Sequence, residues 1–280
     1  MFYLRLLIRN LIILLLIGVN PIRRNHNEVI ILSFHDIPKL QYQWFFDLIK
    51  TINSKYELIS PQSIIDFPLS SKSRKIKVIL SFDDGFKSSF DLANWVDQKY
   101  GIKSAFFVCA GFIGLSKKNA QKFFINNMVL SKIRYYHDVV PMNWLEVRKL
   151  HNNGHLIGAH TYNHPILCKL NEKEVGKELE KSNSRLQKEL GILPSWFAYP
   201  FGNPRSISTL TAMMVKKYYK FCFTNVRGSM NESPCSQLLF RQNVKVGEPY
   251  KIVVASIEGK LDILSFKSRN FLCNLVKSNF

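Results

Sequence analysis

From Val29 onward, short runs of consecutive apolar residues alternate with longer amphipathic stretches, a pattern that predicts repeated β/α units. Val29–Leu32, Val78–Leu80, Ala105–Val108 and Leu156–Ile157 read as buried strands, and Trp196–Ala198 and Phe221–Phe223 as later ones. Between them the pattern predicts helices over Tyr42–Lys50, Ser88–Tyr100 and Asn143–Asn152, the last stopped by Gly154. The clearest helix is Asn171–Leu190. Asn171 suits an N-cap, Glu174 three residues on completes a capping box, and Gly191 suits a C-cap. From about Tyr250 no period dominates, and nothing along the chain repeats. Strand–helix alternation of this length predicts an α/β fold built on a closed or nearly closed parallel barrel. In such barrels polar residues at the C-terminal strand ends line the site.

The 280 residues suffice for one large domain or two small ones with a substantial core. An apolar fraction of 46 % with 21 % charged residues excludes a disordered chain. Charge changes the picture: Lys and Arg outnumber Asp and Glu by 39 to 20, a formal +19. Such a surface favours nucleic acid, anionic lipid head groups or acidic glycans. No zinc-finger spacing, Gly-aromatic RNA consensus or basic region with heptads is present, so no specific nucleic-acid partner is expected. Charge is read instead as solubility and membrane proximity. Cys109, Cys168, Cys222, Cys235 and Cys273 are odd in number and unpaired in spacing, which argues against a disulfide scaffold; they read as buried hydrophobes.

The N-terminus carries a targeting signal. Leu11–Val19 is apolar apart from Gly18 and follows Arg5 and Arg9, like the first parts of a secretory signal. No small-x-small cleavage site follows; Asn20, Pro21, Arg23 and Arg24 do. Residues 1–25 are therefore expected to be an uncleaved anchor or signal segment with a linker, and 26–280 the functional domain. Basic residues on both flanks leave the side of the membrane open.

Four strand ends carry chemistry. Ser81-Phe-Asp-Asp-Gly85 follows the strand Val78–Leu80, and adjacent carboxylates there face different ways, one free to bind a metal and one to act as a base. Taken alone, a surface Asp-Asp-Gly turn is the better reading of it. His160-Thr-Tyr-Asn-His164-Pro165 follows another strand, and two imidazoles four apart can converge on one cation. Joined to a carboxylate they leave metal positions open for water and substrate. Phe197-Ala-Tyr-Pro-Phe-Gly202 runs from a strand into a turn whose backbone N–H can stabilise an oxyanion, or it is a packed aromatic turn. Ser33-Phe-His35-Asp36 ends the first strand, where a lone His is commonly structural.

Together these motifs resemble the polysaccharide deacetylases with a NodB-homology domain, carbohydrate esterase family 4. Ser-Phe-Asp-Asp-Gly is similar to that family's Thr-Phe-Asp-Asp-Gly, and His160-Thr-Tyr-Asn-His164-Pro to its His-Ser/Thr-x-x-His-Pro. The likeness extends through Tyr100–Val108 and Trp144–Gly158 and spans roughly Val29 to Val246. It implies a distorted (β/α)7 barrel in which Asp84, His160 and His164 bind a divalent metal, commonly Zn2+. It further implies Asp83 as general base and the Phe201 amide as part of the oxyanion hole. Two departures matter. Ala198 stands where many members place an arginine that partners the base, and Arg241 is the candidate replacement. No histidine follows His164, whereas many members take their general acid from a C-terminal Leu-x-His motif. Phe34-His35 instead resembles the N-terminal Tyr-His of the circularly permuted subgroup, the biofilm poly-N-acetylglucosamine deacetylases, making His35 the expected acid.

The implied activity is hydrolysis of N-acetyl groups from an amino-sugar glycan of the bacterial cell envelope or exopolysaccharide. The partners expected are an N-acetylated glycan or lipid-linked saccharide and the membrane. Rivals are an O-deacetylase of a glycan ester and a non-catalytic glycan-binding domain. Tyr162, Tyr199 and Phe201 are candidates to stack on sugar faces. His155 and His151 read as structural, His26 and His137 as exposed.

Overall fold

Strands that read as unbroken apolar runs are buried on both faces because helices cover one side of the sheet and the sheet curls over the other. The computed structural model describes residues 27–64, 74–129 and 138–277, together with Ile13, Leu15, Gly18 and Arg24. Most of Leu11–Val19, and both His26 and His137, lie outside the described residues. Among the described residues no helix is long and apolar enough to cross a membrane.

Eight strands form one parallel sheet. They are β1 (Val29–Phe34), β2 (Glu57–Leu58), β3 (Lys77–Asp84), β4 (Ala105–Val108), β5 (Leu156–Ala159), β6 (Trp196–Ala198), β7 (Phe221–Phe223) and β8 (Gln242–Asn243). The continuous order is β7-β6-β5-β4-β3-β1-β8, seven strands, with β2 an additional short pair to β3. The segment around β8 joins the two ends of this path. Leu239 N–H donates to Cys222 O and Leu239 O accepts from Thr224 N–H, on the β7 side. Three residues later Gln242 and Asn243 pair with Leu32 and Ser33 of β1. The expected barrel is thus a parallel sheet curled back on itself through residues 239–244.

The period of two sorts the side chains. Ile30, Leu32, Phe34, Val78, Leu80, Phe82, Phe106 and Val108 pack with Phe45, Leu48, Leu92, Val147 and Leu179 from the helices. The alternate residues Ile31, Ile79, Phe107, Trp196, Ala198 and Phe223 pack with Leu239 on the inner side of the curl. The helices are α1 (Tyr42–Lys55), α2 (Lys87–Tyr100), α3 (Lys117–Phe123), α4 (Trp144–Asn152), α5 (Glu172–Leu190), α6 (Thr209–Lys216), α7 (Tyr250–Ile257) and α8 (Phe266–Lys277). The capping box of α5 forms as its sequence suggests, and Gly191 caps it in the left-handed region. A capping box built on Asn143 and Glu146 also starts α4.

Differences from the sequence pattern are local. α1 continues to Lys55 beyond Lys50, and β3 runs on through both aspartates to Asp84. Tyr199 is fully buried and donates its hydroxyl to Gln237 O, so it cannot stack on a sugar. Only Cys109 and Cys222 are buried; Cys168, Cys235 and Cys273 are partly exposed, and all five are free thiols.

Candidate active site

Apart from Arg241, the functional side chains singled out from the sequence lie at the C-terminal end of a parallel strand or in the loop just past it. His35 follows β1, Asp83 and Asp84 end β3, His160 follows β5, and Phe201 stands three residues past β6. Arg241 precedes β8, inside the segment that curls the sheet shut.

The two aspartates separate because Asp84 leaves the strand conformation. Its φ is 71°, and Gly85 after it is at 100°. That positive φ is what calls for glycine at 85, and an added Cβ there would also push the tip of the Ile113 side chain aside. Asp83 keeps the inward parity of Ile79 and Ser81, whereas Asp84 turns to the loop after β5. Strain gathers here: Thr161, His164 and Phe201 also have positive φ, at 63°, 58° and 62°. A β-branched residue such as Thr161 in that region is costly, and such residues cluster where function over-determines the backbone. Thr161 Oγ1 compensates by accepting from His164 N–H at 3.0 Å. Glu178 of α5 holds the loop as well, accepting from the backbone N–H groups of Tyr162 and Asn163.

Asp84, His160 and His164 present ligand atoms that all lie within 4.8 Å of one another, and all three residues are buried. Each imidazole Nδ1 faces a backbone carbonyl, Ala198 O at 2.7 Å for His160 and Asn127 O at 3.0 Å for His164. A carbonyl can only accept, so Nδ1 carries the proton and neutral Nε2 offers a lone pair. The two Nε2 atoms lie 3.4 and 3.3 Å from Asp84 Oδ1. Asp84 Oδ1 is buried with no hydrogen-bond partner. Three acceptors facing one another without a donor is an arrangement that a cation completes. Burial pushes the Asp84 carboxyl up, but the adjacent imidazoles outweigh it and hold it well below the usual carboxylate range. Burial likewise pulls His164 down, and the Asp84 carboxylate outweighs that and raises it. Both shifts favour a positive charge between them. Two imidazoles and a carboxylate with open positions fit a divalent metal such as zinc.

Asp83 is separately clamped. Arg241 donates Nη1 to Asp83 Oδ1 and Nη2 to Oδ2, each at 2.8 Å, with both side chains fully buried. Burial pushes the Asp83 carboxyl up, and the guanidinium outweighs it, leaving it below the usual range. His35, about one-third exposed, places Nε2 3.9 Å from Asp83 Oδ2. On the metal-site side the Phe201 ring meets the His164 ring edge-on, centroids 4.8 Å apart.

Asn225, just past β7, ties these parts together and was not anticipated. Its Oδ1 accepts from Arg241 Nη2 at 3.0 Å and from Ser33 Oγ at 3.2 Å. Its Nδ2 donates to Phe201 O at 3.3 Å, and its backbone N–H to Gly202 O at 2.8 Å. Its position at a C-terminal strand end was the available signal, by the same rule that picked out His35. Asn127, whose carbonyl orients His164, sits in a π-helical turn, Phe124–Met128, with no sequence signal of its own.

A family model described as polysaccharide deacetylase matches residues 70–218. A peptidoglycan-N-acetylglucosamine deacetylase of Bacillus cereus is 29 % identical over 138 residues, covering 49 % of this chain and 40 % of that protein. The chain thus spans less than half the length of the curated relatives it matches. Among solved structures, the Streptococcus pyogenes deacetylase PplD superposes with a TM-score of 0.63 at 18 % identity, covering 83 % of this chain and 99 % of that one. IcaB from Ammonifex degensii gives 0.63 at 20 % identity, with 83 % and 97 % covered. These two likenesses bear on the fold, and the motif-bearing stretch carries the assignment: this chain belongs to the polysaccharide deacetylase family.

Proposed function

We propose that the chain is a metal-dependent deacetylase that hydrolyses N-acetyl groups on an amino-sugar glycan of the bacterial cell envelope or exopolysaccharide. The observation that carries this reading is the pairing of two buried sites. Three metal-type acceptors converge around the orphaned Asp84 Oδ1, and next to them a carboxylate is held ionised by a bidentate arginine. Asp84, His160 and His164 would hold a divalent cation such as Zn2+, which would supply Lewis-acid polarisation of the acetamide oxygen and of a water. Asp83 then accepts a proton from the attacking water, and Arg241 keeps that carboxylate aimed and ionised at neutral pH. The Phe201 backbone N–H donates to the oxygen on which negative charge develops. His35 donates a proton to the nitrogen as the C–N bond breaks, releasing acetate and the free sugar amine. An amine needs this proton more than an alkoxide does, so a histidine beside the base favours the amide over an ester substrate.

His35 at the end of the first strand supports the circularly permuted subgroup, and residues 26–280 supply the whole constellation. The apolar N-terminal run and the +19 charge support attachment to a membrane by a single anchor, with a glycan or lipid-linked saccharide as substrate. The test is acetate release by the full chain from a panel of N-acetylated and O-acetylated envelope glycans, before and after metal depletion and zinc reloading. Asp83→Asn should keep the metal and lose turnover, and His35→Ala should slow amide substrates more than esters. Turnover that survives both metal depletion and Asp83→Asn sinks the assignment.

A further inference from the structure

The loop after β5, which delivers His164, and the turn after β6, which delivers Phe201, are tied together farther along. Cys168 Sγ donates to Arg205 O at 2.8 Å. Between these segments lies a cavity of about 540 Å³, lined also by Ser268 of α8. Phe201 belongs to both the cavity and the metal site. Its ring stands edge-on to that of His164, and its side chain lines the cavity, which therefore adjoins the cluster of Asp84, His160 and His164. The volume is in the range of small-ligand pockets and has room for a sugar unit.

The polar lining of this cavity has one sign. Lys169 and Arg205 line it and no carboxylate does. Among the described residues neither cation has an acidic partner. Other basic groups around the site are answered: Lys87 by Asp91 and Glu146, Arg148 by Glu189, and Arg241 by Asp83. Asn203 Oδ1 accepts from Arg205 N–H at 2.9 Å, which leaves Nδ2 to donate. Ser206 spends its hydroxyl proton on Asn203 O at 2.8 Å. An ammonium, a guanidinium and an amide NH2 donate and cannot accept. Ile166 and Phe201 add apolar surface against which the face of a sugar ring can lie.

We infer that this cavity is a subsite for a negatively charged sugar unit, the neighbour in the glycan of the N-acetylated sugar that is hydrolysed. The inference rests on the deacetylase reading of the adjoining centre and adds the substrate class to it. Lys169 and Arg205 hold the anion, a carboxylate or a phosphate, and the fork of a guanidinium suits either group. Asn203 Nδ2 donates alongside them. The anion lies away from the bond that breaks, so its contacts are the same before and during reaction. They therefore lower KM and leave kcat where it is.

The test compares acetate release by the full chain, zinc-loaded in neutral detergent, from N-acetylated oligosaccharides of equal length. One is neutral, one carries a carboxylate on the units next to the N-acetylated sugar, and one carries a phosphate there. Binding is read separately, without turnover, by isothermal titration of the metal-depleted chain with the same compounds. The inference expects an anionic compound to show a KM lower than the neutral one by on the order of 10-fold at equal kcat, as two partly screened ion pairs allow. Whichever anion shows the larger effect identifies its source. Lys169→Gln/Arg205→Gln should raise that KM to the neutral value and leave turnover of the neutral compound unchanged. Lys55→Gln/Lys149→Gln removes the same charge at helix ends that precede β2 and β5, on the rim opposite the site, and should keep the preference. Equal KM values for all compounds overturn the inference. So does a preference that survives Lys169→Gln/Arg205→Gln, or one that falls as far in Lys55→Gln/Lys149→Gln, since either traces it to the overall charge. In those cases acetate release still stands for the deacetylase reading. Charge-selective binding that Lys169→Gln/Arg205→Gln abolishes, in a chain that frees no acetate, keeps the anion site and sinks the deacetylase reading instead.

Discussion

Arg241→Gln probes the site where its energetics are most exposed. The guanidinium donates to both oxygens of Asp83, to Ser81 Oγ at 3.3 Å, to Asn225 Oδ1 at 3.0 Å and, through Nε, to Thr224 O at 2.9 Å. Glutamine removes the charge and leaves the Asp83 carboxylate buried without its counter-ion. Breaking a buried pair from one side costs about 3–5 kcal/mol. In a chain of this size that corresponds to a fall in melting temperature of roughly 10 °C. The pH dependence then has a definite sign. In the parent chain the Asp83 carboxyl is held below its ordinary value, so its contribution is present above that value and is lost as pH falls through the folded one. In the variant, burial is no longer opposed by the guanidinium, and only His160 and His35 still favour the ionised form. Its carboxyl rises, so the variant is worst at neutral pH and recovers toward about pH 4, where the unfolded carboxyl also takes up its proton. Thermal denaturation by circular dichroism from acid to neutral pH measures this, and the acid limb of kcat/KM should move to higher pH in parallel. Asp83→Leu/Arg241→Met should be less destabilised than Arg241→Gln, because it removes both charges together. A variant melting curve that tracks the parent at every pH, with an unmoved acid limb, refutes the reasoning.

Asp84→Asn should lower metal content by elemental analysis and abolish the rise in melting temperature that zinc produces in the parent chain, since only a ligand-bound native state is stabilised by mass action. His155 is buried, its Nδ1 accepts from Ser104 N–H at 3.0 Å, and burial pushes it down to about 4 against the opposing pull of Asp97. The unfolded imidazole protonates near its ordinary value of about 6.5, so stability should be full above that and decline as pH falls toward 4; His155→Gln should flatten the melting profile in that window. Ala198→Arg should destabilise the parent chain but restore part of the activity lost in Arg241→Ala, read as kcat/KM in the double variant.

Where consecutive residues carry the information, the sequence reads well. Ala105–Val108, Trp196–Ala198 and Phe221–Phe223 match their strands residue for residue, and Asn171, Glu174 and Gly191 mark both ends of α5. The motif residues at strand ends also come together as expected: Asp84, His160 and His164 converge, and Asp83 lies beside His35. The rest depends on partners far apart in the chain. β2 and β8 are two residues each, too short to show a period, and exist only because a neighbouring strand offers an edge. The Asn127 carbonyl that fixes His164 comes from a π-helical turn, and Asn225 acquires its role from Arg241, Ser33 and Phe201 at once. Tyr199 sits in a motif of site residues but on the helix-facing side, which is why an aromatic expected at the mouth is found in the core.

That Arg241 reaches Asp83 from the segment before β8 follows from the closure of the sheet. Ala198 and Phe107 belong to the apolar cluster on the inner side of the curl, and the Arg241 guanidinium lies over the Phe107 ring, 5.2 Å from its centroid. Asp83 faces the same interior, so a cation serving it must enter from a strand end that reaches this layer. Residues 239–244 do so because they hydrogen-bond to β7 on one side and β1 on the other, which delivers Arg241 over the inner layer. With that volume filled, a long side chain at position 198 would crowd the guanidinium and set two cations against one carboxylate. A methyl group at position 198 is the complement of Arg241 in this layer. The backbone of Ala198 keeps its own task, since its carbonyl accepts the His160 Nδ1 proton and so presents Nε2 to the metal site. The contribution of position 198 to the cluster of Asp84, His160 and His164 thus runs through the main chain.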